Sequence, residues 1–271
     1  MGLRINTNVA AINAANTLQR STQSLNKSLE RLSSGLRING AADDAAGLAI
    51  AEGFRSQVRG TQTAQRNSQD GVSLVQTAEG ALSETTNILQ RVRELAVQSS
   101  NGTQSTANRA ALDTEVQQLL AQVDDIALDT DFNGVRVLSS AQTITLQSGA
   151  YTSQVLEVTV QGAKTNDLGI SAVSVSQLTT AVSTISTVDV ALQSVNTLRA
   201  NLGAFQNRLD FTINTLAIQE ENAAASESAI RDADIAKETV DFTRNQILVS
   251  AGTSVLAQTN VLPQSALQLL G

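Results

Sequence analysis

With 271 residues, a net charge of −7 and no cysteine, histidine or tryptophan, the chain lacks the side chains that several chemistries require. Absent cysteine excludes disulfides and zinc thiolate sites, absent histidine excludes the Ser-His-Asp triad and the HExxH metalloprotease site, and the negative balance argues against a general nucleic-acid role. Aromatics make up 2 % and hydrophobic residues 41 %, a composition that suits long seams between helices better than a thick globular core.

Charge is unevenly placed. Residues 1–40 carry Arg4, Arg20, Lys27, Arg31 and Arg37 against Glu30 alone, and residues 245–271 carry no charge. That tail does not read as a membrane span, because Gln, Asn, Ser and Thr interrupt it. The N-terminus lacks the continuous apolar core of a secretory signal peptide, since asparagines punctuate VAAINAANT. Export, if it occurs, uses another route.

From Ala11 the apolar positions step by four and three through Ala15, Leu18, Thr22, Leu25, Leu29, Leu32 and Leu36, the seam spacing of a coiled coil. LRINGAADDAAG (residues 36–47) follows. Gly35 and Gly40 are places where a helix ends and the chain turns, and Asp43 or Asp44 begins the next helix, where a carboxylate caps free N–H groups. The spacing Gly35-x4-Gly40 matches a phosphate loop, but Ala41-Ala42 stand where lysine and a hydroxyl belong. Adjacent aspartates on a helix point about 100° apart, a poor pair for acid/base work.

The seam returns at Val75, Ala78, Leu82, Thr85, Leu89, Val92 and Ala96. It stops at SSNGTQS (residues 99–105), where Asn101-Gly102 makes a turn and Ser105 or Thr106 caps a third helix. In LQRVRELAVQ (residues 89–98), Gln90, Arg91, Arg93, Glu94 and Gln98 face away from the seam, as a solvated face or an interaction patch; spacing alone does not choose between them. The third helix carries Leu112, Val116, Leu119, Val123 and Ile126 on one stripe, with Asp124-Asp125 read as a solvated face. Asp129, Asp131, Asn133 and Gly134 loosely mimic the start of a calcium loop, but Ser140 stands where its last ligand, a glutamate, belongs.

Phe132-Asn133-Gly134 signals a turn. VRVL, TITLQ (residues 143–147) and VLEVTV (residues 155–160) read as a small hairpin region, and Gly162 to Gly169 as a loop. Helical spacing resumes through Ile185, Val188, Leu192, Val195, Arg199, Leu202, Gln206, Leu209, Ile213 and Leu216, a helix on the order of 65 Å from about 178 to 222. Residues 221–238 read as a polar joint before a last helix. The fold class is therefore mainly α: an elongated long-helix bundle or coiled coil formed by the N- and C-terminal segments, with a small β-hairpin region in the middle. The first and last segments each have an apolar stripe and too few partners of their own, so the chain ends pair with each other and then with copies of the chain.

RINTNVAAINAANTL (residues 4–18), SLERLSSGLRINGAADDAAGLAIAEGFRSQVRG (28–60), LQRVRELAVQSSNGT (89–103), FNGVRVL (132–138) and VLPQSALQLL (261–270) together resemble bacterial flagellin, over roughly residues 1–140 and 178–271. The resemblance implies a structural subunit, not an enzyme and without cofactor or metal, that polymerises into the extracellular flagellar filament for motility after export through the flagellum's own channel. It implies an inner coiled-coil domain from residues 1–42 and 225–271 and a core domain from residues 43–224, with the hairpin region at about 135–175. Only a short loop stands where larger relatives carry outer domains. The self-assembly seam comprises Leu18, Leu25, Leu29, Leu32, Leu36, Ile247, Val255, Leu256, Leu267 and Leu270, and the interdomain joint Gly35, Gly40, Asp43 and Asp44.

The family's subunit-packing and innate-immune receptor surface maps onto Gln90, Arg91, Glu94, Leu95 and Glu115, which implies a Toll-like receptor of a host as a partner. Further implied partners are an export chaperone on the segment around Ile247 to Leu270 and the filament's cap and junction proteins, with no nucleic acid and no membrane insertion. Two other readings stand beside this one: the hook–filament junction protein, whose ends resemble flagellin, and a secreted enzyme on a helical scaffold, for which no complete motif is present.

Overall fold

The computed structural model describes residues 7–268, with side chains described as far as residue 261. The element order is α1 (Val9–Ser34), α2 (Ala45–Ser99), α3 (Thr106–Asp129), β1 (Asp131–Phe132), β2 (Val135–Arg136), β3 (Gln142–Gln147), β4 (Val155–Val160), α4 (Leu178–Arg231) and α5 (Ile235–Gln268). The chain divides into two compact units, Met1–Ser56 with Asn222–Gly271, and Gln57–Glu221. Both divisions fall inside helices, because α2 and α4 run without a break for 55 and 54 residues.

In the first unit α1 and α5 pair antiparallel. Asn8 caps α1 by accepting the Ala11 N–H on its Oδ1 (3.1 Å) and donates from Nδ2 to the Thr259 carbonyl (2.8 Å). Further along, a Cβ built on Gly252 would lie 3.2 Å from Leu18 Cδ1. Arg31 then faces Glu238, and Leu36 forms a β-bridge with Asp232. These four pairs follow one register from end to end. The α1 side that turns inward carries Ala11, Ala14, Leu18, Ser21, Leu25, Ser28 and Leu32; that of α5 carries Glu238, Phe242, Asn245, Val249, Gly252, Leu256 and Thr259. Ala15 and Leu29 of the expected seam face away. Two lines flank the Leu18, Leu25, Leu32 column, and α5 takes the one holding Ala14, Ser21 and Ser28, whose small side chains allow close approach.

The second unit holds the main core. Val75, Ala78, Leu82, Leu89, Val92 and Ala96 of α2 are fully buried with Val116 and Val123 of α3 and Val188, Val195 and Leu209 of α4, each full burial of a Val or Leu contributing roughly 1.5–3 kcal/mol. Ser105 caps α3, its hydroxyl accepting the Asn108 N–H at 3.2 Å. Arg109 turns back onto the end of α2 and donates to the carbonyl of Ser99 (2.9 Å) and, in the following turn, to that of Asn101 (3.0 Å), which also accepts the Gln104 N–H. Asn133 (φ 53°) and Gly134 (φ 80°) make the two-residue turn between β1 and β2. The strand β2 is shorter than the VRVL run, because Val137 and Leu138 leave it and enter the core. The β3–β4 hairpin rests where α2 offers no side chain: a Cβ on Gly60 would lie 2.9 Å from Ala150 Cβ, and one on Gly71 2.5 Å from Leu146 Cδ1.

Two expectations are corrected here. Residues 221–231 are helix, not joint: Ala223 is buried, Ser226 bonds back to the Asn222 carbonyl (2.7 Å), Glu227 and Arg231 pair at i,i+4, and the break between α4 and α5 is only residues 232–234. Asp124 is not a solvated face. Its carboxylate accepts the Thr165 N–H (2.8 Å) and hydroxyl (3.0 and 2.8 Å), tying the 161–177 connector to α3, while Asp113 accepts the Ser174 hydroxyl (2.9 Å) and Val175 N–H (2.6 Å). Ala163, Ile170 and Val175 of that connector are fully buried. Asp124→Ala leaves the Thr165 donors without partners and is expected to lower unfolding free energy by about 1–3 kcal/mol. Hydrogen exchange should accelerate at residues 161–170 first; unchanged exchange there would contradict this.

Candidate assembly surfaces

The joint at residues 35–47 is pinned. Gly35, at φ 71°, ends α1 in the left-handed conformation and donates its N–H to the Arg31 carbonyl at 2.8 Å. Its own carbonyl accepts the Ala233 N–H (2.9 Å), and the Arg37 N–H donates to the Arg231 carbonyl (2.6 Å). Ile38 is buried beneath. Asp44 caps α2, accepting the Gly47 N–H at 2.8 Å. Asp43 is paired with Lys27 (2.8 Å) and accepts the Asn39 N–H (3.1 Å); the Lys27 hydrogen bond, then the Asn39 N–H, hold its carboxyl below the usual carboxylate range. Arg231, the last residue of α4, reaches Glu52 at 3.1 Å.

The two glycines of the joint therefore differ. Gly35 needs its positive φ, whereas Gly40 has an ordinary φ and open space around it. Gly35→Ala is expected to cost about 1–2 kcal/mol and Gly40→Ala under about 0.5 kcal/mol, read from denaturant unfolding. Equal effects would contradict the assignment of Gly35 as the left-handed cap.

Of the seam residues, Leu18, Leu25, Leu32 and Leu256 line the α1–α5 pairing, and Leu36 sits in the bridge just past the α1 cap. Leu29 faces away at 56 % exposure, as do Ile247 (63 %) and Val255 (55 %). The Leu267 side chain and Leu270 lie outside the described residues. Together with Val240 and Ala251, Ile247 and Val255 form a second, uncovered apolar stripe on α5. Its near end is an open groove of about 720 Å³ lined by Ile235, Ala236, Thr239, Val240, Thr243, Arg244 and Ile247. On α1 the uncovered large apolar side chains are Val9, Ile12 and Leu29.

On α2, Gln90 is exposed and Arg91 is clasped by carboxylates. Its Nε and Nη2 donate to Glu115 on α3 (3.1 and 2.9 Å) and its Nη1 to Glu94 (3.1 Å). Glu115 and Glu94 raise the guanidinium pKa above its already high ordinary value. Leu95 corrects the expected surface: it is 1 % exposed and belongs to the core, because the buried stripe widens to Val92, Leu95, Ala96 and Ser99. Sequence reasoning missed Asp189 on α4, which accepts from Arg93 Nε at 2.6 Å; nothing in the local spacing links positions 93 and 189.

Among the described residues, no group of three or more His, Cys, Asp or Glu side chains is placed to hold a metal ion, and no helix is long and apolar enough to cross a membrane. Paired chain ends with an apolar stripe left open define a self-associating helical subunit. Residues 5–143 match the bacterial flagellin N-terminal helical region and residues 185–270 the bacterial flagellin C-terminal helical region. The chain is 47 % identical to flagellin of Halalkalibacterium halodurans over 98 % of this chain and 99 % of that protein. It is 44 % identical to flagellin of Bacillus subtilis (99 % and 100 %) and 43 % identical to the flagellar filament 33 kDa core protein of Treponema phagedenis (98 % and 99 %). The chain belongs to the bacterial flagellin family and is a structural subunit of the flagellar filament. A solved flagellar hook-associated protein of Vibrio parahaemolyticus shares the fold alone, at 10 % identity and a TM-score of 0.58 over 70 % of this chain and all of that one, so the junction-protein reading is not favoured.

Proposed function

We propose that the subunit polymerises by burying the second stripe of α5 against neighbouring copies, with residues 1–42 and 225–271 forming the filament's inner layer and residues 43–224 its core layer. The observation that carries this reading is the exposure of Val240, Ile247 and Val255 on a helix that is already paired on another side. An apolar stripe of this kind marks an interaction surface. A contact that does not close on itself propagates a helix of subunits, and burial in the polymer stabilises the paired ends by mass action. Ile247→Asp and Val255→Asp each remove burial worth roughly 1.5–3 kcal/mol. Each is expected to raise the critical concentration for polymerisation at least about tenfold, read by sedimentation, while the circular dichroism of the monomer stays unchanged. Normal filaments at the wild-type threshold would contradict the assignment.

The same uncovered α5 surface suits an export chaperone that shields it before assembly, with delivery through the flagellum's own channel to the cap at the filament tip and an extracellular location. The carboxylate-clasped Arg91, with Gln90, Glu94 and Glu115, supports a second docking face, the one a host Toll-like receptor would read on free subunits, with Leu95 acting from beneath as core support. Arg91→Ala is expected to cut the response of receptor-expressing reporter cells to purified monomer at least about tenfold. An unchanged response, or none to the wild-type chain, would remove that partner.

A further inference from the structure

The apolar pattern of the α1–α5 pair is degenerate. Gly252 leaves a notch on α5 that receives Leu18, the Cβ built on Gly252 lying 3.2 Å from Leu18 Cδ1. Leucine recurs every seven residues on α1, at positions 18, 25 and 32. A slip of one heptad, about 10.5 Å, would set Leu25 in the same notch. Small residues flank the column on both sides of the true register, so packing shape does not forbid the slip either. Backbone contacts at the joint, from the Ala233 N–H to Gly35 and from the Arg37 N–H to Arg231, also favour the native register, but no side-chain packing within the helices does so.

We propose that the Arg31–Glu238 pair is the register lock of the chain ends. Glu238 is 9 % exposed, in the first turn of α5, and its Oε2 lies 3.7 Å from Arg31 Nη1 in the last turn of α1. Arg31 Nε is buried with no hydrogen-bond partner. That geometry is too long for a strong hydrogen bond, so the pair adds little as a stabiliser; its worth is in what happens when it is separated. Each charge also suits its own helix dipole, but that term is present in every register and selects none. Only mutual compensation inside the seam depends on alignment. A one-heptad slip that seats Leu25 in the notch sets Arg31 opposite Asn245, inside the pair and without its carboxylate, while Glu238 passes beyond the end of α1; low local dielectric penalises the stranded guanidinium. Buried polar layers set register in coiled coils in this way. A slipped subunit would carry the α5 stripe displaced by two helical turns and out of step with its neighbours. That consequence rests on the proposed polymerisation surface; the lock itself does not.

The chain has no cysteine, so disulfide trapping in the full-length protein is clean. The Cβ built on Gly252 lies 3.7 Å from Leu18 Cβ, within the range a disulfide requires. Leu18→Cys with Gly252→Cys reports the native register, and Leu25→Cys with Gly252→Cys the slipped one. The wild-type background is expected to give the native disulfide alone. Arg31→Leu with Glu238→Leu is expected to raise the yield of the slipped disulfide at least about fivefold, and where leucines loosen the helices, Arg31→Glu alone supplies the same readout through repulsion. The charge-exchanged pair, Arg31→Glu with Glu238→Arg, is expected to return the native disulfide alone despite its unfavourable dipole terms. Native disulfide alone in the leucine and Arg31→Glu variants, or slipped disulfide persisting in the charge-exchanged pair, overturns the proposal.

Discussion

The antiparallel contact between α1 and α5 is the constraint on which the rest depends. It joins Asn8 to Thr259, 251 positions apart, and so turns two amphipathic segments that could not stand alone into one paired element. Most of the stability of such helices comes from packing an apolar face against a partner, and chain-closure entropy grows only slowly with loop length. Each end supplies the other's missing face. The joint then fastens the pair: the left-handed Gly35 and the Leu36–Asp232 bridge lie directly past the end of α1, and Lys27, about two turns back, holds Asp43.

Pairing on one side leaves α5 apolar on the other. A helix with one such face is complete when it packs once; α5 has two, and only one is occupied by α1. The absence of charge from residues 245–261 fits the proposed polymerisation, which would flank the helix on two sides and leave little room for charged side chains. The Gln57–Glu221 unit is built differently. Its core is continuous across α2, α3, α4 and the 161–177 connector, and its surface carries ion pairs such as Arg91–Glu115 and Arg93–Asp189. Exposed pairs of this kind contribute little stability and leave the face available for recognition.

The long seams were legible in the sequence because each rests on many repeats. Val75, Ala78, Leu82, Thr85, Leu89, Val92 and Ala96 are all buried as the spacing predicts, and Ser105 and the Asn133-Gly134 turn carry their own local signals. What spacing could not reveal is which of two flanking lines a partner takes. Leu29 looked like the better seam residue, yet α5 lies against Ser28, because close approach favoured the small side chain. Leu95 entered the expected surface through the family resemblance, and spacing did not correct it, because a stripe one residue wider than the ideal heptad is indistinguishable from an exposed decoration until the neighbouring helix is placed. Contacts such as Asp124 with Thr165 and Arg93 with Asp189 join distant positions, and a single sequence carries no trace of them.

The central claim is that the second stripe of α5 is open in the monomer and covered in the filament. Single cysteines placed as Ile247→Cys or Val255→Cys in the cysteine-free chain can be titrated with a thiol reagent before and after polymerisation. The account predicts rapid labelling in the monomer and strong protection in the filament at both positions, with an exposed control such as Gln90→Cys judged separately. Equal labelling of Ile247→Cys and Val255→Cys in monomer and filament would contradict it.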